Sequence, residues 1–133
     1  MKTVSILLGC IALAGCVQNL DDPSPESGAI AFREDCASCH GLDAMGSGSF
    51  GGALIITPPD LTRLSERHGG MYPAGYVMNV IDGYARGDHF SAAMPEFGAG
   101  DMGPTINVEQ DGVGTPIPAR LLALSLYLES IQR

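Results

Sequence analysis

The sequence has few basic residues and no tryptophan, and the shortage of basic side chains limits what the protein can bind. Fifteen acidic side chains stand against seven basic ones, the net charge is −8, and Lys2 is the one lysine. Binding to DNA or RNA needs a basic patch that neutralises phosphate groups. We therefore expect no nucleic acid partner, and a protein partner that is steered by charge should present a basic face.

Apolar runs long enough to cross a membrane are also lacking. The run from Val4 to Ala14 follows a short positive start at Lys2, and it is shorter than the ~20 residues that a membrane-spanning helix needs. Its length is typical of a secretory signal peptide. The run ends in Leu13-Ala14-Gly15-Cys16, which resembles the lipobox of bacterial lipoproteins, where the cysteine is acylated and becomes the new N-terminus.

The lipobox resemblance implies a division of the chain and a location for the protein. Residues 1–15 would be the lipoprotein signal peptide, residues 16–25 the lipidated N-terminus with a polar tether, and residues 26–133 the folded domain. The protein would then lie in the bacterial cell envelope, anchored by lipid at Cys16 and facing the periplasm. Val17 stands where an Asp would signal retention in the inner membrane, which favours the outer membrane. A plain secretory signal, which would release a soluble protein, is the alternative.

Cysteine is scarce, and its placement predicts a cofactor. Cys10 lies in the signal sequence and Cys16 is the expected lipid site, which leaves Cys36 and Cys39 for the domain. With His40 they form the pattern C-x-x-C-H of c-type haem attachment. Two thiols at this spacing on one helical turn can each reach a haem vinyl group, and the adjacent imidazole can bind the iron. We therefore predict one covalently attached haem c.

Two other uses of this cysteine pair fit the sequence less well. A thioredoxin-type redox motif would follow a strand in a β-rich chain, and no such pattern surrounds it. A zinc site needs four ligands, and only His68 and His89 remain as obvious additions.

Helical patterns flank the haem motif on both sides. Gly28, Phe32 and Cys36 are four residues apart, on one face of a helix predicted over Glu26–Asp35, and Ser24-Pro25 supplies start signals. Near the other end, Pro118 opens a second apolar helix. Its apolar positions at helical spacing are Leu121, Leu124, Tyr127, Leu128 and Ile131.

These two helices resemble the N-terminal and C-terminal helices of class I cytochromes c. In that family a small glycine on the first helix lets the last helix cross closely, beside a pair of aromatic residues. Gly28, Phe32 and Tyr127 match those positions. The resemblance covers about residues 26–133 and implies an all-α fold, with four to five short helices around one covalently bound haem and long Gly- and Pro-rich loops.

The segment after the haem motif follows the same family pattern. Gly41 to Gly52 is a glycine-rich loop, and the resemblance implies that it wraps the haem edge. The stretch Thr57 to Thr62 resembles the Pro-x-Leu element of the family. The resemblance then gives Pro59 a backbone carbonyl that accepts a hydrogen bond from the proximal imidazole, and it gives Leu61 a haem contact.

Two further helices are predicted in the middle of the chain. Asp60 can cap a short helix that ends at Gly69-Gly70. Pro73 opens another, whose apolar face has the spacing i, i+3, i+4 and i+7. The residues on that face are Val77, Val80, Ile81 and Tyr84.

The second axial ligand of the iron determines the chemistry. Ser91 to Gly98 contains Met94-Pro95 and resembles the Met-Pro-x-Phe segment that carries the distal methionine in many bacterial class I cytochromes. Met94 is therefore the predicted ligand, with Met102 and His89 as alternatives. With protein ligands on both sides of the iron, no position is left for a substrate, and the protein is expected to be an electron carrier rather than an enzyme.

Some features of the sequence leave alternatives open. Arg63, Arg67 and Arg86 are candidates to pair with the haem propionates. The stretch 98–118 is longer than the family pattern suggests, and it is either a partner-binding loop or a surface insertion.

We expect a membrane-tethered monohaem cytochrome c with a redox donor and a redox acceptor. The alternatives are a haem-based gas sensor or small haem enzyme with an open sixth position, and a haem subunit of a larger oxidoreductase.

Overall fold

The computed structural model describes residues 22–84, 93–110 and 112–133. Within these ranges the chain forms five α-helices, three single turns of 3₁₀-helix and one antiparallel pair of strands. The α-helices are α1 (Pro25–Asp35), α2 (Ala37–His40), α3 (Leu64–Arg67), α4 (Ala74–Asp82) and α5 (Ala119–Ser130). The 3₁₀ turns are Gly51–Ala53, Leu61–Arg63 and Phe97–Ala99, and the strands are β1 (Thr105–Gln110) and β2 (Val113–Pro118). The predicted signal peptide and Cys16 lie outside the described residues.

Helix α1 begins where its capping residues predict. The Ser24 hydroxyl accepts a hydrogen bond from the backbone N–H of Ser27, and the Ser27 hydroxyl bonds the backbone N–H of Ser24 in return. Pro25 occupies the first turn, where its missing N–H costs no helical hydrogen bond. Local side-chain chemistry therefore fixes the start of the helix that leads to the haem motif.

The crossing of α1 and α5 is the main packing contact of the domain. A side chain at Gly28 would collide with the backbone carbonyl of Ala123 and would lie 2.7 Å from the Cβ atom of Tyr127. The rings of Phe32 and Tyr127 pack at a tilt beside this point, with centroids 5.2 Å apart. The close crossing beside an aromatic pair that the resemblance implied is confirmed.

Apolar side chains from α1, α4 and α5 share one core. Phe32 and Leu124 are each only 1 % exposed. Tyr72, just before α4, donates a hydrogen bond from its hydroxyl to the backbone carbonyl of Ser125 on α5 (2.9 Å). The other buried apolar residues of this core include Ala31, Leu64, Val77, Met78, Ile81, Met102, Ile117, Leu121 and Leu128.

Helix α4 is shorter than its apolar pattern predicted. Val77 and Ile81 are buried as expected, but the helix ends at Asp82, and Gly83 follows with a left-handed φ of 98°. The turn carries Tyr84 off the apolar face, and this side chain is 85 % exposed. The prediction that Tyr84 belongs to the buried face was wrong, because a glycine in this conformation ends a helix.

The all-α prediction was wrong for the stretch 98–118, which contains a β-hairpin. Strands β1 and β2 are antiparallel, with Ile106 opposite Ile117 and Val108 opposite Thr115. Ile117 is buried in the core and Val108 packs against it. Apolar residues at alternating positions place one face of the hairpin on the core, which favours strands over a loop.

No helix in the described part of the chain is long and apolar enough to span a membrane.

We predict that Gly28→Ala destabilises the protein by about 2 kcal/mol, the size typical of overpacking, because the new methyl group meets the backbone of α5. Gly75→Ala on α4 is the matched control, since nothing lies within 4 Å of a Cβ atom there. The control should be neutral or slightly stabilising, as alanine favours helix over glycine. Urea unfolding of both holoproteins, followed by circular dichroism, measures the difference. Equal stability of the two variants would contradict the close crossing.

Candidate haem site

The two cysteines and the histidine of the haem motif lie on a single helical turn that continues α1. The N–H of Cys36 donates to the carbonyl of Phe32 (2.9 Å), and the N–H of His40 donates to the carbonyl of Cys36 (2.9 Å). Cys36 and Cys39 are free thiols, not joined in a disulfide. The crossing of α1 and α5 therefore also positions this turn, because the two helices α1 and α2 meet directly at Cys36.

The chemical state of Cys36 favours a structural role over a redox role. Burial, with a further contribution from the nearby Asp35 carboxylate, raises the pKa of the Cys36 thiol to about 12. Catalytic C-x-x-C motifs depend on a thiolate with a lowered pKa. The environment of Cys36 is thus the reverse of the one that a thioredoxin-type reaction needs.

His40 is buried, and its ring is held in the neutral form that binds a metal. Only 9 % of the residue is exposed, and burial lowers the pKa of the imidazole, while the backbone carbonyl of Pro59 acts in the opposite direction. The Nδ1 atom is buried without a well-aligned hydrogen bond to the described residues. A neutral imidazole with Nδ1–H towards a carbonyl leaves Nε2 free to bind a metal. A buried, neutral imidazole that faces the Pro59 carbonyl, next to two free thiols, fits the covalent haem that the motif predicts.

Glycines let the loop after His40 lie directly against the haem-binding turn. A Cβ atom at Gly48 would lie 2.6 Å from the carbonyl carbon of Cys39 and 2.7 Å from the carbonyl oxygen of Ala37. A Cβ atom at Gly51 would collide with the carbonyl oxygen of Cys39. These close approaches require glycine, so the composition of the loop follows from its packing rather than from flexibility alone.

The same loop reaches the Pro-x-Leu element. Ala44 is fully buried with a positive φ of 58°, and its carbonyl accepts a hydrogen bond from the N–H of Leu61 (2.8 Å). Gly46 donates its N–H to the carbonyl of His40 (2.7 Å), and a Cβ atom there would collide with the carbonyl of Pro58. The structure thus brings His40 and Pro59 together, as the resemblance implied. Sequence reasoning did not single out Ala44.

Leu61 and the Asp60 cap occupy their expected positions. Leu61 is half-buried and packs against the core. The Asp60 carboxylate accepts hydrogen bonds from the backbone N–H (2.9 Å) and the hydroxyl (2.6 Å) of Thr62. The short helix that the sequence predicted after Asp60 is therefore present, as a 3₁₀ turn that continues into α3.

The methionines considered as the second ligand differ in their surroundings. Met94 is half-buried and packs against the same core as Cys36, whereas Met102 is inside that core, at 8 % exposure. Met71 and Met45 are exposed and Met78 is buried. His89, the other alternative, lies outside the described residues.

Two of the three arginines proposed for the haem propionates have protein partners. The Arg63 guanidinium pairs with Glu66 on the protein surface (2.9 Å), and the Arg67 guanidinium donates to the carbonyl of Asp60 (2.7 Å). Arg86 lies outside the described residues. An exposed pair such as that of Arg63 contributes little stability.

The end of α5 contacts the segment around Leu61, a feature that the sequence did not indicate. The side-chain amide of Gln132 donates to the carbonyl of Leu61 (2.8 Å) and accepts a hydrogen bond from the N–H of Ser65 (2.9 Å). The Arg133 guanidinium donates to the Thr62 hydroxyl (2.7 Å). No local pattern signals these contacts, because the partners are about seventy residues apart in the sequence.

We predict that Gly48→Ala lowers the free energy of unfolding by about 2 kcal/mol, because the methyl group would force the loop away from the backbone of Cys39. Gly52→Ala is the control in the same loop, since a Cβ atom there meets nothing within 4 Å. Urea unfolding at equal haem content compares them. A destabilised Gly52→Ala with an unchanged Gly48→Ala would refute this account of the loop.

The comparison with protein families agrees with the site. Residues 23–105, more than half of the chain, match the model of the family described as cytochrome c oxidase, cbb3-type, subunit III. No curated protein and no solved structure gives a significant match. The matched region contains the C-x-x-C-H turn, the glycine loop and Met94 but only the first residue of the hairpin. This chain, with its haem-binding turn at the end of α1, belongs to the cytochrome c oxidase, cbb3-type, subunit III family.

Proposed function

We propose that this cytochrome c domain is a class I monohaem electron carrier, with His40 and Met94 as the axial ligands of the iron. Membership of the family means that the domain carries covalently bound haem c and serves haem-based electron transfer. The observation that carries the proposal is the turn Cys36–His40. It presents two free thiols beside a buried, neutral imidazole that faces the Pro59 carbonyl.

Each residue of the site has a distinct task in this proposal. Cys36 and Cys39 hold the haem through thioether bonds, and His40 binds the iron through Nε2. The carbonyl of Pro59 orients the imidazole and makes it a stronger donor to the metal. Leu61, packed on the core, supplies an apolar contact. Haem c, when bound, supplies a one-electron couple between ferric and ferrous iron.

Met94 decides between a carrier and a haem protein with an open coordination position. Its thioether raises the reduction potential relative to a second imidazole. Pro95 stiffens the backbone next to it. Met94 packs against the core that also contacts Cys36, so both belong to one apolar environment. A methionine held there keeps small molecules from the iron, which is the property of an electron carrier.

The proposed setting is the bacterial cell envelope. A c-type cytochrome domain indicates an extracytoplasmic location. We propose that Cys16 carries the lipid anchor, that the domain faces the periplasm, and that the outer membrane holds it. The net charge of −8 favours redox partners with a basic docking face.

A second candidate function is that of a haem subunit in a larger oxidoreductase. The observation that favours it is the description of the matched family, which is that of an oxidase subunit. Purification from the native membrane separates the two functions. A partner that remains in constant ratio through several columns supports the subunit, whereas a monomeric cytochrome supports the free carrier.

We predict that Met94→Ala abolishes the methionine–iron charge-transfer band of the oxidised protein. The reduced protein should then bind carbon monoxide, and the reduction potential should fall, because the thioether that stabilises ferrous iron is gone. Absorption spectroscopy with a redox titration measures all three. Met71→Ala is the control, since this methionine is on the surface. Loss of the band in Met102→Ala and its survival in Met94→Ala would assign Met102 instead.

We predict that Cys16→Ser moves the protein from the membrane fraction to the soluble fraction. The lipid attached to Cys16 would be the source of membrane affinity, because acyl chains add apolar contact with the bilayer. Fractionation of cells that express each form, followed by haem staining, measures the change. Cys10→Ser, in the predicted signal peptide, should leave the distribution unchanged. Retention of the Cys16→Ser protein in the membrane would contradict the lipid anchor.

A further inference from the structure

The side-chain amide of Gln132 joins three backbone segments at the end of α5. Its nitrogen donates to the carbonyl of Leu61 (2.8 Å) and to the carbonyl of Leu128 (2.6 Å), and its oxygen accepts from the N–H of Ser65 (2.9 Å). The two donated bonds and the accepted one use both ends of the amide. Gln132 therefore ties the last turn of α5 to the segment that follows Pro59.

Leu61 is held from two opposite directions. Its N–H donates to the carbonyl of Ala44, in the loop after His40, and its carbonyl accepts from Gln132. Both main-chain polar groups of this residue are thus fixed by distant parts of the chain. Leu61 is two residues from Pro59, so the position of the Pro59 carbonyl depends on these two anchors.

Gln132 lies just beyond the end of α5, a helix that is fixed against α1. Helix α5 crosses α1 in contact at Gly28, and Arg120 at its start forms ion pairs with Glu34 (2.8 Å) and Asp35 (2.7 Å) at the end of α1. Helix α1 in turn leads into the turn that carries His40. The imidazole and the Pro59 carbonyl are therefore positioned by the same pair of helices from opposite ends.

We propose that Gln132 is a positioning residue for the haem site, which holds the Pro59 carbonyl against the His40 imidazole through its hydrogen bond to Leu61. This inference rests on the proposed role of His40 as the proximal ligand. A carbonyl held at Nδ1 makes the imidazole a stronger donor to the iron, which stabilises the ferric state. Gln132, more than ninety residues from His40 along the chain, thus lowers the reduction potential of the site.

Arg133 supports the same segment but from the surface. Its guanidinium bonds the Thr62 hydroxyl (2.7 Å) and the Asp60 carboxylate (3.1 Å), and its side chain is largely exposed. Exposed ion pairs are weakened by salt and water. The half-buried amide of Gln132 is therefore the stronger anchor for Leu61.

The test replaces Gln132 with methionine, which keeps the length of the side chain and removes all three hydrogen bonds. In the oxidised holoprotein, the ring N–H of His40 should exchange with solvent about tenfold faster, a factor that corresponds to the net free energy of one hydrogen bond. Proton NMR measures this exchange. The reduction potential should become more positive, because a weaker imidazole donor stabilises ferric iron less.

Gln132→Glu keeps the acceptor for Ser65 and loses the donor to Leu61, so the His40 ring N–H of this variant should also exchange faster.

Ser130→Ala is the control at the same end of the helix, because among the described residues the Ser130 hydroxyl bonds only the carbonyl of Tyr127. It should change neither the exchange rate nor the potential. Unchanged exchange and potential in both Gln132 variants, even with lower stability, would overturn the proposal. Failure of the proposed function looks different: the wild-type protein itself would then lack the spectrum of histidine and methionine ligation.

Discussion

The contact between α1 and α5 at Gly28 is the constraint on which the site depends. Glycine has only a hydrogen atom in place of a side chain, so the two helix backbones approach more closely here than any side chain would allow. The crossing fixes α1, and α1 leads at Cys36 directly into the turn that holds the two cysteines and the histidine. The close packing of α1 against α5 at Gly28 therefore determines where the haem-binding turn lies.

Burial then sets the chemistry of that turn. The thiol of Cys36 is kept protonated and the imidazole of His40 is kept neutral, because both are withdrawn from water. Glycines at the loop positions that face the turn allow the loop backbone to contact the backbone of the turn directly.

Capping features that depend on neighbouring residues were predictable from the sequence itself, and the α1–α5 crossing was predictable only through the family resemblance. The start of α1 at Ser24-Pro25 and the cap at Asp60 were predictable, because a capping side chain bonds backbone only two or three residues away. The hairpin was missed, although apolar residues alternate along it, because the resemblance implied an all-α fold. The bonds from Gln132 to Leu61 and Ser65 carried no signal at all, since these partners are distant in the chain and no period links them.

The prolines of β2 make the hairpin different along its two edges. Pro116 lies opposite Asn107 and Pro118 opposite Thr105. Since proline has no N–H to give to β1, these must be the pairs without ladder hydrogen bonds, whose N–H groups point away from the partner strand. The outer edge of β2 thus lacks donors at two positions, while β1 keeps its own at Thr105 and Asn107. The prolines therefore disfavour the addition of a third strand along β2.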